Sequence, residues 1–143
     1  MRPLYENETH LEIERKIAKL FEQIYACVLR KMPIRHYLDF AIEQDGQIRG
    51  FLEIKTSSYT CDEHRRYGGF KLSLHKWSAA RQLSQASGLP FFLVVGFPEA
   101  VCGMRIEEFN HDGVMWWGRR DRNDDQDMEP AVVLNIDRFS LLR

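Results

Sequence analysis

A chain of 143 residues, 44% hydrophobic and 29% charged, is long enough to bury one core and is expected to form a single domain over residues 1–143. No apolar run approaches a membrane span, the polar stretch Met1 to Glu12 lacks a signal-peptide pattern, and scattered Cys27, Cys61 and Cys102 read as reduced thiols of a cytoplasmic protein. A net charge of -1 excludes nucleic-acid binding by bulk electrostatics and leaves room for a local basic surface.

The first predicted element is a helix. Thr9 followed by Glu12 is a capping box, and the apolar stripe Ile13, Ile17, Phe21, Ile24, Tyr25 and Val28 carries the helix to about Arg30, where Lys31-Met32-Pro33 ends it. Glu14 falls inside that stripe, where an apolar residue is expected, whereas Glu12 is accounted for by capping. A hairpin follows over Asp39 to Lys55, two apolar runs joined at Asp45-Gly46. Strand alternation puts Phe51, Glu53 and Lys55 on one face and Leu52, Ile54 and Thr56 on the other. It likewise puts Tyr37, Asp39 and Ala41 opposite Leu38, Phe40 and Ile42.

From His64 through Arg81 the chain carries Arg65, Arg66, Lys71, Lys76 and Arg81 and no acid. It begins within a predicted loop, Tyr59 to Phe70, whose Tyr59, Tyr67 and Phe70 interleave with the charges as a backbone-tracking surface would need. A solvated basic loop has the same composition. A second helix is expected from its cap Ser73 to Ser87, stopped by Gly88, with Lys76 projecting between Ala80 and Leu83. Phe91 to Phe97 is a continuous apolar run, hence a strand buried on both faces, parallel to the Glu53 strand through a right-handed crossover. Further strands are expected at Ala100 to Phe109, Val114 to Gly118 and Ala131 to Ile136. The polar segment Arg119 to Asp127 fails as an EF-hand loop, because Gln126 and Val132 stand where glycine and glutamate are required; Arg119, Arg120 and Arg122 are weak phosphate candidates.

The hairpin parity brings Asp39, Glu53 and Lys55 together, and a carboxylate pair of this kind is costly to bury unless something offsets its charge. Oxygen donors of this type suit a hard divalent cation such as Mg²⁺. Glu-x-Lys on an exposed strand is also compatible with a solvated face bearing a weak ion pair. The histidines and cysteines have no zinc-site spacing, and phosphate-loop and nucleophile-elbow motifs are absent.

Asp39, thirteen intervening residues, then Glu53-Ile54-Lys55 resembles the active-site hairpin of the PD-(D/E)XK nuclease superfamily, with Leu38 in place of the proline. Glu14-Arg-Lys-Ile-Ala-Lys-Leu-Phe-Glu22 resembles the first helix of archaeal-type Holliday junction resolvases. The resemblance implies an α/β, restriction-endonuclease-like core of about residues 8–97, a mixed central sheet flanked by helices in the order α-β-β-α-β, and a C-terminal β extension of about 98–143. It implies a DNA nuclease of phage or resolvase type. Asp39, Glu53, the Ile54 carbonyl and Glu14 would hold Mg²⁺, with Mn²⁺ able to substitute, and Lys55 would be catalytic. Arg65, Arg66, Lys71 and Lys76 would contact DNA, and paired cuts would need a homodimer. The alternative is a non-catalytic module that uses the same fold to bind DNA or a protein.

Overall fold

The computed structural model describes residues 8–33, 38–118 and 128–142. The hairpin forms where the alternation requires it. Strand β2 (Phe40–Gln44) pairs antiparallel with β3 (Gln47–Thr56), and Asp45 and Gly46 both take positive φ, 52° and 74°. Two consecutive left-handed residues give the turn whose twist matches that of the flanking strands.

Helix α1 (Glu8–Tyr25) packs Ile17, Ala18 and Phe21 against Phe40, Ile42, Leu52, Ile54 and Val94. Complete burial of a side chain such as Leu52 contributes about 2 kcal/mol. The helix lies so close to the sheet that a Cβ on Gly96 would stand 2.7 Å from Ile17 Cδ1. Its described residues begin at Glu8, so Thr9 lies within it and is not its cap.

The helix also stops earlier than the expected Arg30. Ala26 adopts a left-handed φ of 49°, and the chain leaves as strand β1 (Val28–Lys31), antiparallel to β2. Val28 and Tyr25 are consequently exposed, while Leu29 packs toward the α1 core. Sheet pairing therefore overrides the helical period in this stretch.

After β3 the expected loop contains a short helix α2 (Cys61–Arg66), closed by a capping box in which Thr60 Oγ1 accepts from Glu63 N–H and Glu63 Oε1 accepts from Thr60 N–H. Strand β4 (Phe70–Ser73) leads into helix α3 (Leu74–Ser87). Ser73 is the N-cap residue by position, without a side-chain cap bond, and Gly88 ends the helix in the left-handed conformation.

Strand β5 (Phe91–Gly96) pairs parallel with β3, from Phe51 opposite Phe91 to Thr56 opposite Gly96. Phe91, Leu93 and Val95 face one core and Val94 the other, the two-sided burial expected of this run.

Strand β6 (Val101–Arg105) is shorter than the expected Ala100 to Phe109, because Ile106–Glu108 coil into a 3-10 turn that buries Ile106. Strands β7 (Val114–Gly118) and β8 (Met128–Leu134) follow, with Ile136 in a second 3-10 turn rather than in β8, then β9 (Ser140–Leu141).

The main sheet runs β1-β2-β3-β5-β6-β9, mixed through the parallel β3–β5 pair, and a second sheet runs β4-β8-β7. Helix α1 covers one face of the main sheet. The other face packs Phe91, Leu93 and Val95 against Trp77 of α3 and against Phe70, Leu72, Val132 and Leu134 of the second sheet. Because β3 alternates, Leu52 and Ile54 point to α1, and Glu53 and Lys55 point into the space between the main sheet, α3 and the second sheet. The expected mixed sheet flanked by helices is the observed one.

Candidate active site

Asp39 sits one residue beyond the Phe40–Leu52 pair, where β2 begins to pair with β3. Its backbone N–H donates to the Leu52 carbonyl at 3.2 Å, and its Oδ2 accepts the Ile54 N–H at 2.8 Å. The carboxylate is thereby fixed to β3 beside Glu53.

Glu53 is 2% exposed. Its Oε1 accepts from Lys76 Nζ of α3 and lies 3.7 Å from Lys55 Nζ. Its Oε2 is buried with no hydrogen-bond partner among the described residues. An orphaned carboxylate oxygen forgoes the compensation that buried polar groups require.

The charges perturb one another. Burial pushes the Glu53 carboxyl above its usual range and the Asp39 charge adds to this, while Lys76 and Lys55 pull the other way. Burial pushes the Lys55 ammonium down, and the Lys76 charge adds to that. Burial opposes the charged form of Lys76 as well, yet the Glu53 carboxylate outweighs it by charge and hydrogen bond, and Lys76 ends above its ordinary value.

Glu14 reaches this cluster through an intermediary. Its Oε1 lies 2.8 Å from Lys31 Nζ, which is 3.9 Å from Asp39 Oδ1 and stands over the Phe40 ring. Lys31 was not singled out from sequence, where it reads only as part of a helix stop. The signal was its place on the strand face that Leu29 turns toward α1, visible once Val28–Lys31 is read as a strand.

Among the described residues no three His, Cys, Asp or Glu side chains gather to hold a metal ion. The fit is of another kind. The Asp39 charge acts on Glu53, and one Glu53 oxygen is buried without a partner among the described residues. Mg²⁺ is commonly held by one or two carboxylates and keeps water in its remaining positions, so this donor set suits it.

A cleft of about 490 Å³ adjoins the cluster, with Lys55, Lys76 and Lys71 lining it beside Tyr59 and Trp117. Lys71 Nζ donates to the carbonyls of Tyr67 and Gly69 and lies over the Trp117 ring. Arg65 is held outside the cleft by Asp62 at 2.8 Å and Asp137 at 3.1 Å. Arg66 is exposed at the end of α2, and it too is outside the cleft. Phe70 is buried rather than interleaved among surface charges. Arg119, Arg120 and Arg122 lie outside the described residues.

A mixed sheet between helices, with Asp on one strand of a hairpin and Glu-x-Lys on the next, is the architecture of the PD-(D/E)XK superfamily of nucleases. The chain belongs to the family named "Phage putative PDDEXK endonuclease", whose model matches residues 1–142. Among solved structures it is similar to Hjc, a Holliday junction resolvase from the archaeal hyperthermophile Archaeoglobus fulgidus. The identity is 12%, 68% of this chain and 77% of that chain are covered, and the TM-score is 0.49. Comparison with curated proteins gives no match. No described helix is long and apolar enough to cross a membrane.

Proposed function

We propose that this chain is a divalent-metal-dependent deoxyribonuclease, one nuclease domain over residues 1–143, that hydrolyses phosphodiester bonds of DNA. The observation that carries the reading is the buried, unpartnered Oε2 of Glu53 beside Asp39. Asp39, Glu53 and the Ile54 carbonyl would hold Mg²⁺ or Mn²⁺, and Glu14 acts on the set through Lys31. When bound, such an ion supplies Lewis acidity at a phosphoryl oxygen and lowers the pKa of water.

The protein's own groups then have separable tasks. Asp39 is oriented by the Ile54 amide before anything binds. Lys76 offsets part of the Glu53 charge. Lys55, its ammonium pushed down by burial and by Lys76, is suited to orient the attacking water and to exchange a proton with it. Lys55 and Lys76 also present positive charge along the cleft wall, where a DNA phosphate would enter.

Preference for branched DNA and action as a homodimer extend this reading from the likeness of the Glu14 helix to resolvases. One observation favours a second reading, a nuclease-fold module that binds DNA or a protein without cutting: Lys76 already neutralises one Glu53 oxygen. Incubating the protein with plasmid and with a four-way junction in Mg²⁺, Mn²⁺ or EDTA, beside Lys55→Ala, separates the two. Metal-dependent cutting that Lys55→Ala abolishes supports the nuclease; binding without cutting in any metal supports the module.

A further inference from the structure

One wall of the cleft is aromatic, and the nuclease reading leaves it unused. Strand β7 places Trp117 on the face of the second sheet that carries Lys71 of β4, because their partners on β8, Glu129 and Val133, have the same parity. Lys71 Nζ stands 5.1 Å from the Trp117 ring centre and donates to the Gly69 carbonyl at 2.8 Å. That ammonium joins the second sheet to the loop that ends α2. Tyr59, on the same cleft, stacks obliquely on Tyr67 with ring centres 5.8 Å apart. Trp117 is 40% exposed and Tyr59 43% exposed.

We propose that Trp117 and Tyr59 form a stacking site for unpaired bases of a single DNA strand, whose phosphates run along Lys55 and Lys76. This stacking site rests on the reading of the chain as a DNA nuclease. Exposed rings beside positive charge match the alternating chemistry of a single strand, flat apolar bases on an anionic backbone. Paired duplex offers little to such rings, because its bases are already stacked on each other. A cleft of about 490 Å³ falls within the range that accepts a ligand of nucleotide size. The lysine over Trp117 holds that ring against the cleft before a base arrives, which limits the ordering cost of binding. The substrate class that follows is DNA with unpaired nucleotides next to the scissile phosphate: a flap, a gap, a branch point or a free single strand.

The test is fluorescence anisotropy in EDTA, where no cutting occurs, using a labelled thymidine oligonucleotide and a blunt duplex with the same number of phosphates. The single strand is expected to bind at least about 10-fold tighter than the duplex, and Trp117→Ala to lose most of that margin, as does Tyr59→Leu. Trp117→Phe keeps a ring and most of the margin, and so guards against a folding defect in the alanine variant. Trp116→Ala, on the opposite face of β7, serves as the control and changes nothing. Equal affinity for the two probes, or a margin that survives Trp117→Ala, overturns the stacking site. Cleavage of a flapped duplex and of plasmid in Mn²⁺ is scored separately. Cleavage without a single-strand margin sinks the stacking site and spares the nuclease, whereas a ring-dependent margin without cleavage in any metal does the reverse.

Discussion

The Asp39 side chain takes over where backbone pairing stops: its Oδ2 accepts the Ile54 N–H at 2.8 Å, just past the last residue pair that β2 makes with β3. One oxygen is therefore engaged by the backbone, and the other lies 3.9 Å from Lys31 Nζ. Asn at this position keeps a carbonyl acceptor for Ile54 and loses the charge. Asp39→Asn is expected to unfold in urea within about 1 kcal/mol of the parent while losing metal-dependent cleavage, whereas Asp39→Ala strands the amide and costs about 1–3 kcal/mol as well. Cleavage by Asp39→Asn at the parental rate would remove Asp39 from the reaction.

Glu53 and Lys76 are unequal partners. The glutamate side chain is 3% exposed and the lysine side chain 30%, so the lysine can turn to water if its partner is neutralised and the glutamate cannot. Lys76→Met should therefore destabilise the metal-free protein by about 2–3 kcal/mol, below the about 3–5 kcal/mol of a deeply buried pair because Lys55 remains nearby. Glu53→Gln should cost less. The sharper expectation concerns Mn²⁺: it should raise the melting temperature of Lys76→Met more than that of the parent, since an uncompensated anion binds a cation harder, and it should leave Glu53→Gln unmoved. Equal shifts in all three proteins would mean that the ion does not sit on Glu53.

Glu14, Lys31 and Asp39 form a chain of contacts at 2.8 and 3.9 Å. If Glu14 acts by holding Lys31 back from Asp39, then Glu14→Gln frees a cation to pair with Asp39 and should weaken Mn²⁺ affinity several-fold, less than Asp39→Asn does. Lys31→Met removes that cation and should tighten Mn²⁺ binding, and Glu14→Gln should then have little further effect in the Lys31→Met background. Calorimetric titration reads this directly. A Glu14→Gln loss that persists without Lys31 would place Glu14 and Lys31 in separate roles.

The hairpin was legible because a period of two, an Asp-Gly turn and a fixed strand spacing all act within 17 residues, Asp39 to Lys55. The buried β5 strand was legible for a similar reason, an unbroken apolar run after a glycine-capped helix. What escaped depends on partners distant in sequence. Val28–Lys31 continues the apolar stripe of α1 without a glycine or proline between them, and only pairing with β2 makes it a strand. Strand β4 is four residues long and is specified by β8, more than 50 residues later. Trp117 meets Lys71 only through that same sheet, so nothing local marked it as part of the cleft. Lys76 could be placed on the correct helix face from periodicity, but its grip on Glu53 needed the packing of α3 over the main sheet.

His64 gives a dependence of stability on pH that is independent of the metal site. It is buried, its Nε2 lies 2.7 Å from Ser57 Oγ, and it packs between the rings of Tyr59, Phe70 and Phe97. Burial holds its pKa below the ordinary value and the Lys71 charge adds to this, against weaker opposition from the Gly69 carbonyl, Glu63 and Glu99. The unfolded chain therefore takes up a proton near pH 6.5 that the native protein refuses. Above that pH His64 contributes no slope. As pH falls through about 6.5 the parent should lose stability progressively, and the loss should level off only below the depressed native pKa. Glu53, with its carboxyl pushed up, has the opposite sign, so the parent's total slope mixes the two. Comparison with His64→Gln isolates the histidine. The urea midpoint of the parent should drop more than that of His64→Gln between about pH 7.5 and pH 5.5, and parallel curves would show that the native imidazole accepts its proton as readily as the unfolded one.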